Sequence, residues 1–424
     1  MAVKRGYKQT EVGVIPEDWE LRVLPSTCWF QEGPGLRQWQ FTASGMKVIN
    51  VTNLENGVLN LGRTDRHIAM SEFRRMYQHF AIDAGDIVMA SSGNSYGKTA
   101  IVREEDLPLM MNTSVVRFKP CEAGDYHFVW AFLNSRIFRD QIDLIITGGA
   151  QPNFGPYHLR NVLTPWPPLP EQRAIAAALS DADALISALD KLVAKKRDLK
   201  QAAMQQLLTG KQRLPGFHGE WEVKKLGGIT DVDPENLGSD TSPDYSFKYI
   251  SLEDVDAGAL RGYTEQVFRT APSRARRKLR RGDVLVSSVR PNLKSHLLIR
   301  DEISDTICST GFSVLRCKPG LADPEFVFSH LFAGDIGQQI ESLLTGSNYP
   351  AINSGDVKAL TIACPSLEEQ RAIAAILSDM DAEIGALERK RDKTRLLKQG
   401  MMQELLTGRI RLPIPAGEEA APTP

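Results

Sequence analysis

Several segments carry residue types whose spacing invites a chemical reading. Gly93-Asn94-Ser95-Tyr96-Gly97-Lys98-Thr99 has the composition of a phosphate-binding loop. It has three residues between its glycines where the phosphate cradle needs four, so it reads as an ordinary loop. No GxGxxG follows a strand-like run, which removes support for a dinucleotide fold. The Asn/Asp-Pro-Pro-aromatic loop that an adenine methyltransferase uses for its flipped base is absent. His67, His79, His127, His158, His218, His296 and His330 form no HxxxH or Cys/His ligand spacing, so no metal site is expected. Glu222-Val223-Lys224 looks like the end of a nuclease carboxylate motif but lacks an upstream Pro-Asp, and reads as a surface strand. The expectation is a chain that catalyses nothing alone.

Binding chemistry is better represented. A polar loop follows each of two Gly-Asp strands: Ser91-Ser92-Gly93-Asn94-Ser95-Tyr96-Gly97-Lys98 and Ser288-Val289-Arg290-Pro291-Asn292-Leu293-Lys294. A second pair is 147–154, with Gln151 and Asn153, and 345–353, with Asn348 and Tyr349. Asn, Gln, Arg, Lys and Ser read base edges or grip phosphates, and glycine lets backbone approach a ligand closely. Ser92, Asn94, Tyr96, Lys98, Gln151, Asn153, Arg290, Asn292, Lys294, Asn348 and Tyr349 are therefore candidate DNA contacts. Residues 273–281 add six basic side chains in nine positions, among them Arg274, Arg276, Arg277 and Lys278. Such density predicts phosphate contact and salt-sensitive affinity.

What must position these loops is a chain written twice. Residues 171–215 and 369–413 align without a gap at an offset of 198, and 29 of 45 positions are identical. Weaker echoes join Gly85-Asp86-Ile87-Val88 to Gly282-Asp283-Val284-Leu285, and Trp19-Glu20 to Trp221-Glu222. Each half is a variable stretch followed by a nearly constant one. The constant stretches read as helices of about 38 residues, roughly 57 Å long. Ser366 and Glu369 form a capping box, Pro170 suits a first helical position, and Gly210 and Gly408 suit C-caps. Ile175, Leu179, Ala182, Ile186 and Leu189, with Ile373, Leu377, Met380, Ile384 and Leu387, make a 3.5-residue coiled-coil seam. The apolar phase slips near Val193 and Arg391, then resumes through Leu199, Ala203 and Leu207, and through Leu397, Met401 and Leu405. In the variable stretches, Lys47–Val51, Lys248–Leu252, Gly85–Ala90 and Gly282–Ser287 read as strands, and 126–146 and 324–344 as short helices.

Composition sets the bounds. The chain has 424 residues, 51 Lys+Arg against 52 Asp+Glu and a net charge of −1, so it is no globally basic nucleic-acid binder. The length suits two or three domains. No long apolar run predicts a membrane span, and no secretory signal is readable at the N-terminus. Five cysteines without a CxxC pair suit free thiols in the cytoplasm.

The constant stretches, the Gly-Asp strands and the Trp19 and Trp221 openings together resemble the specificity subunits of type I restriction–modification enzymes. The residues carrying the match are Pro168-Leu169-Pro170-Glu171-Gln172-Arg173-Ala174-Ile175 and Leu207-Leu208-Thr209-Gly210, with their second copies. The resemblance implies a mixed α/β fold: two pseudo-symmetric, strand-rich target recognition domains at 1–167 and 214–364. Spacer helices at 168–213 and 365–412 would form an antiparallel coiled coil, with 413–424 a disordered tail. Each recognition domain would read one half of a bipartite, asymmetric duplex DNA site, with two methyltransferase subunits docked on the coil and restriction/translocase subunits joining them. No cofactor is implied in this chain; S-adenosylmethionine, ATP and Mg²⁺ belong to the partners. An orphan specificity subunit of a methylation-only complex and a coiled-coil scaffold without DNA contacts are the alternatives.

Overall fold

The computed structural model describes residues 4–146, 152–344 and 350–413. Tyr349, Asn348 and Gln151 lie outside the described residues, as does most of the C-terminal tail. The chain divides into two compact units, one of residues 1–188 with 390–424 and one of residues 189–389. The divisions fall inside the two long helices rather than at their ends.

The first unit contains an antiparallel four-stranded sheet ordered Thr99–Ile101, Ile87–Ala90, Val115–Pro120, Cys28–Glu32. A five-stranded sheet runs Ala81–Ile82, Leu109–Met111, Met46–Ile49, His67–Ile68, Phe41–Thr42, and only its Leu109–Met111/Met46–Ile49 pair is parallel. The second unit repeats this plan. Thr230–Val232, Phe312–Cys317, Asp283–Ser287 and Leu297–Leu298 form one sheet. Thr264–Val267, Ser246–Ile250, Thr306–Ser309 and Ala275–Lys278 form the other, again with one central parallel pair. The predicted strands at 47–51, 85–90, 248–252 and 282–287 are all present, within a residue or two of their expected limits. Each predicted short helix is two. Tyr126–Leu133 gives way to Arg136–Ile145 where Ser135 caps Phe138 N–H, and Pro324–His330 gives way to Gly334–Leu343.

Buried ion pairs hold the Gly-Asp strands. Asp86 faces Arg117 at 3.5 Å across neighbouring strands, and Asp283 takes Arg316 in a two-pronged pair at 2.8 Å. Burial pushes the Asp86 carboxyl up, partly offset by the Asp83 N–H, Lys119 and Arg117.

The long helices run Leu169–Leu207 and Leu367–Leu405, 39 residues each and again offset by 198. Ser366 Oγ accepts from Glu369 N–H at 3.3 Å, one half of the expected capping box, while the Glu369 carboxylate takes Arg213 instead. Pro170 falls one position later than expected, at the second residue of its helix. Gly210 and Gly408 end the helices at φ 68° and 67°, a conformation that penalises any side chain.

The expected phase slip does not occur. Val193 is buried, and the seam continues without interruption through Lys196, Lys200, Ala203 and Leu207 in the first helix. In the second it passes through Arg391, Thr394, Lys398, Met401 and Leu405. Leu199 and Leu397, placed in the seam by their hydrophobicity, stand outside it, 47 % and 56 % exposed. The seam is apolar over the first half of each helix and partly basic over the second. Within the second unit Lys196 pairs with Glu383 at 2.6 Å, Lys200 with Asp381 at 2.5 Å, and Arg197 with Glu388. Within the first, Lys398 pairs with Asp183 at 2.6 Å, the 198-shifted image of Lys200 with Asp381. The pairing is antiparallel in both units, because each core takes the opening turns of one helix and the closing turns of the other. The first core holds Ile175, Ala176 and Leu179 with Leu405 and Leu406; the second holds Met204, Leu207 and Leu208 with Ile373, Ala374 and Leu377.

A duplicated lock closes each core. Glu171 is buried and accepts from Trp19 Nε1 at 2.9 Å and from Arg411 at 2.6 and 2.8 Å. Glu369, equally buried, takes Arg213 at 2.6 and 2.7 Å. One residue on, Gln172 and Gln370 accept from the N–H groups of Asp125 and Asp323 and donate to the carbonyls of Pro167 and Pro365. Arg213→Ala leaves a buried carboxylate without its cation and is expected to cost about 3 kcal/mol. Hydrogen exchange should show amides of residues 189–389 losing protection while those of 4–146 keep theirs.

Candidate nucleic-acid interface

The polar loops inherit their positions from this frame. In the first unit the strand Ile87–Ala90 runs into buried Ser91 and then a tight 3-10 turn, Gly93–Ser95. Gly97 N–H donates to Ala90 O at 2.7 Å and Ala90 N–H to Lys98 O at 2.8 Å, closing the loop at its base. No helix follows, only the strand Thr99–Ile101, so the helix N-terminus of a phosphate-binding loop is missing at this point. The loop is zipped to the second predicted segment. Ser92 bridges Asn153, Gly93 N–H donates to Pro152 O at 3.0 Å, and Phe154 N–H donates to Ser91 O at 3.1 Å. Phe154 is buried and anchors the segment.

The second unit builds the same ribbon from different residues. Val289 bridges Ala351, Arg290 N–H donates to Pro350 O at 2.8 Å, and Ile352 N–H donates to Ser288 O at 2.9 Å. Ile352 is buried where Phe154 is in the first unit. In each unit the described parts of the two predicted loops thus meet in one place. One position differs in an informative way. Gly93 has φ 69°, and its counterpart Arg290 has φ 49°, with Lys294 also left-handed at 52°. A glycine adopts that conformation freely; a non-glycine L-residue held there costs about 1 kcal/mol or more. A residue kept in a strained conformation points to a use for its side chain.

Asn94, Lys98 and Asn153 are exposed on the first ribbon, and Arg290, Asn292 and Lys294 on the second. Ser92 is half-buried. Tyr96 is held from below: its hydroxyl donates to Asp143, and the Arg139 guanidinium lies 4.5 Å from its ring centre. Neither Arg139 nor Asp143 was expected at this site; both come from the helix Arg136–Ile145, and nothing local in the sequence ties them to residue 96. Beneath the second loop sits His296, fully buried, its Nδ1 accepting from Ser287 N–H at 3.1 Å. Burial pushes its pKa down to about 4, so the imidazole is neutral. The charge of this loop therefore comes from Arg290 and Lys294.

The basic run is a correction to the simplest expectation. Its residues do not form one phosphate-facing cluster. Arg277 turns inward onto Asp233 at 2.5 Å, both side chains largely buried. Asp233 also accepts from Val314 N–H and Ser354 Oγ, which makes it a hub of the unit. Arg280 pairs with Glu235 and Arg281 with Glu302. Arg276 lies 5.0 Å over the Phe268 ring. Arg274 and Lys278 are exposed and remain as phosphate-contact candidates. The carboxylates that capture the run lie at 233, 235 and 302, distant in sequence. Among the described residues no group of three or more His, Cys, Asp or Glu side chains is arranged to hold a metal ion. No helix among them is long and apolar enough to cross a membrane. All five cysteines are free.

Comparison with known proteins agrees with the duplication. Residues 16–197 and 218–395 each match the family described as the type I restriction modification DNA specificity domain. A putative type I restriction enzyme specificity subunit, MjaX, of Methanocaldococcus jannaschii is 24 % identical over 96 % of this chain and 97 % of its own length. The MjaVIII specificity subunit of the same organism is 29 % identical over 50 % of this chain and 51 % of its own. Among solved structures, the type I restriction–modification S subunit from M. genitalium superposes over 96 % of this chain and 98 % of that one, with a TM-score of 0.55 at 18 % identity. The likeness shows a shared fold. The chain belongs to the type I restriction–modification DNA specificity family and carries its domain twice.

The distribution of the basic run leads to opposite outcomes for neighbouring residues. Lys278→Ala should leave stability unchanged and reduce the salt slope of duplex binding by about one. Arg277→Ala should cost about 3 kcal/mol of stability by stranding Asp233. Thermal melting and titrations at three salt concentrations separate the two.

Proposed function

We propose, starting from that family membership, that this chain is the DNA-reading subunit of a type I restriction–modification complex. Each unit reads one half of a bipartite, asymmetric duplex site through its looped ribbon. The paired long helices set the spacing of the halves and dock two methyltransferase subunits. The observation that carries this reading is the contrast between frame and loops. Glu171/Arg411 and Glu369/Arg213 repeat almost without change, while Gly93-Asn94-Ser95 and Arg290-Pro291-Asn292 occupy matched places with unlike side chains. Two unlike reading surfaces on one repeated frame suit an asymmetric target, and arginine, asparagine and lysine suit base edges and phosphates.

Ser92, Asn94, Lys98 and Asn153 would contact one half-site, and Arg290, Asn292, Lys294, Arg274 and Lys278 the other. Gln151, Asn348 and Tyr349, outside the described residues, are proposed as further contacts on the strength of their side-chain chemistry. The chain supplies no reacting group; methyl transfer with S-adenosylmethionine, and ATP- and Mg²⁺-dependent cleavage by restriction/translocase subunits, belong to its partners. Such a complex acts on DNA in the cytoplasm.

Exchanging residues 240–360 for those of a relative with a different target should change one half of the selected sequence and leave the other. Seven residues inserted after both Lys196 and Glu383, which face each other across the seam, keep the heptad and add about 10 Å. The gap between half-sites should then lengthen by about three base pairs. Selection from a random duplex pool by the assembled complex reads both. A change in both halves or neither, or an unaltered gap, refutes the proposal.

A further inference from the structure

Trp39 is 79 % exposed, the most exposed tryptophan side chain in the first unit's described residues. An indole on a polar surface loop forfeits a large apolar contact unless something covers it. Its setting is built rather than loose. It sits in the 3-10 turn Gln38–Gln40, where Arg37 N–H donates to Gln40 Oε1 at 2.8 Å and Gln40 N–H to Arg37 O at 3.0 Å. Gln40 is buried, and its amide donates to Glu72 Oε1 at 2.6 Å and to the Tyr77 hydroxyl at 3.0 Å. The buried glutamine pins the turn and leaves the tryptophan outward.

The surroundings are basic. Arg37, Arg66, Arg74 and Arg75 are exposed on the segments 36–41, 66–68 and 70–77, which contribute to one apolar cluster that includes buried Ile68 and Phe73. Arg66 lies 5.2 Å over Phe41, two residues beyond Trp39. The acids of these segments are engaged: Glu72 by Gln40, and Asp65 next to Arg66 by Lys47 at 2.9 Å. The matching segment of the second unit, between the strands Thr230–Val232 and Ser246–Ile250, carries Asp233, Glu235, Asp240 and Asp244 and no tryptophan.

We infer that Trp39 is a second reading element of the first unit, an aromatic wedge that inserts at a base step while Arg74 and Arg75 hold the flanking phosphates. Charge complementarity selects the occupant: an exposed aromatic on packed segments that carry four exposed arginines fits a polyanion with stackable bases. Because insertion costs unstacking energy that depends on the step, the wedge confers sequence preference without hydrogen bonds to base edges. The inference rests on the DNA-reading function proposed above, and it gives the two units different ways of reading.

The test uses the full chain assembled with its methyltransferase partner and a random duplex pool, with the first unit's half-site identified by the domain exchange. Trp39→Ala should bind the wild-type site roughly 5- to 100-fold more weakly and lose preference at one step of that half-site only. Trp39→Phe should retain most of the preference. 2-Aminopurine at that step should brighten on binding the wild-type complex and stay dim with Trp39→Ala. Arg74→Ala with Arg75→Ala should lower the salt slope by about two, a readout independent of the indole. The inference is overturned if Trp39→Ala selects the same sequence with unchanged affinity, or if it impairs assembly with the methyltransferase while selection is unchanged. A wild-type complex that enriches no sequence would instead overturn the underlying function.

Discussion

A buried carboxylate at the start of each long helix governs the rest. Glu171 and Glu369 are almost wholly removed from water, and a charge so placed is tolerated only when paired and hydrogen-bonded. The cation for each arrives from beyond the end of the other helix: Arg411 for Glu171 and Arg213 for Glu369. In each unit the opening of one helix and the close of the other are therefore tied at one point. The adjacent glutamines carry the tie onward to Asp125 and Asp323, whose side chains cap the next helices. Neither unit can complete its core from its variable stretch alone.

On that frame the two units keep their costliest ion pairs in common. The Asp86–Arg117 and Asp283–Arg316 pairs, the Gln141 and Gln339 bonds to the strands at 163 and 361, and the helix lock are common to both. Each is buried or half-buried, where loss of a partner costs several kcal/mol. The ribbon tips and the segment carrying Trp39 face solvent, and there the units share neither charge nor shape. A change at those exposed places leaves the buried pairs and the helix lock untouched.

The seam illustrates how a composition-based reading goes astray. Leu199 and Leu397 are the more hydrophobic residues, yet Lys196, Lys200 and Lys398 hold the seam positions. Long basic side chains lay their methylenes along an apolar partner and end on an acid, here Glu383, Asp381 and Asp183. Each exposed pair is worth no more than about 1 kcal/mol, but together they favour one antiparallel register over others. The basic run misled in the same way: Arg277, Arg280 and Arg281 look alike beside Lys278 until their carboxylates are located.

The duplication, the two long helices, the main strands of the recognition domains and the loops that follow them were all determined by the sequence alone. These features depend on periodicity, repetition and turn chemistry, which are properties of neighbours along the chain. Tertiary structure decided which arginines face solvent, that the seam runs unbroken, that Arg290 is held left-handed where its counterpart is glycine, and that buried Gln40 props Trp39 outward. Each of those outcomes depends on a partner tens to hundreds of residues away, and burial or counter-charge exists only once the chain has brought that partner near.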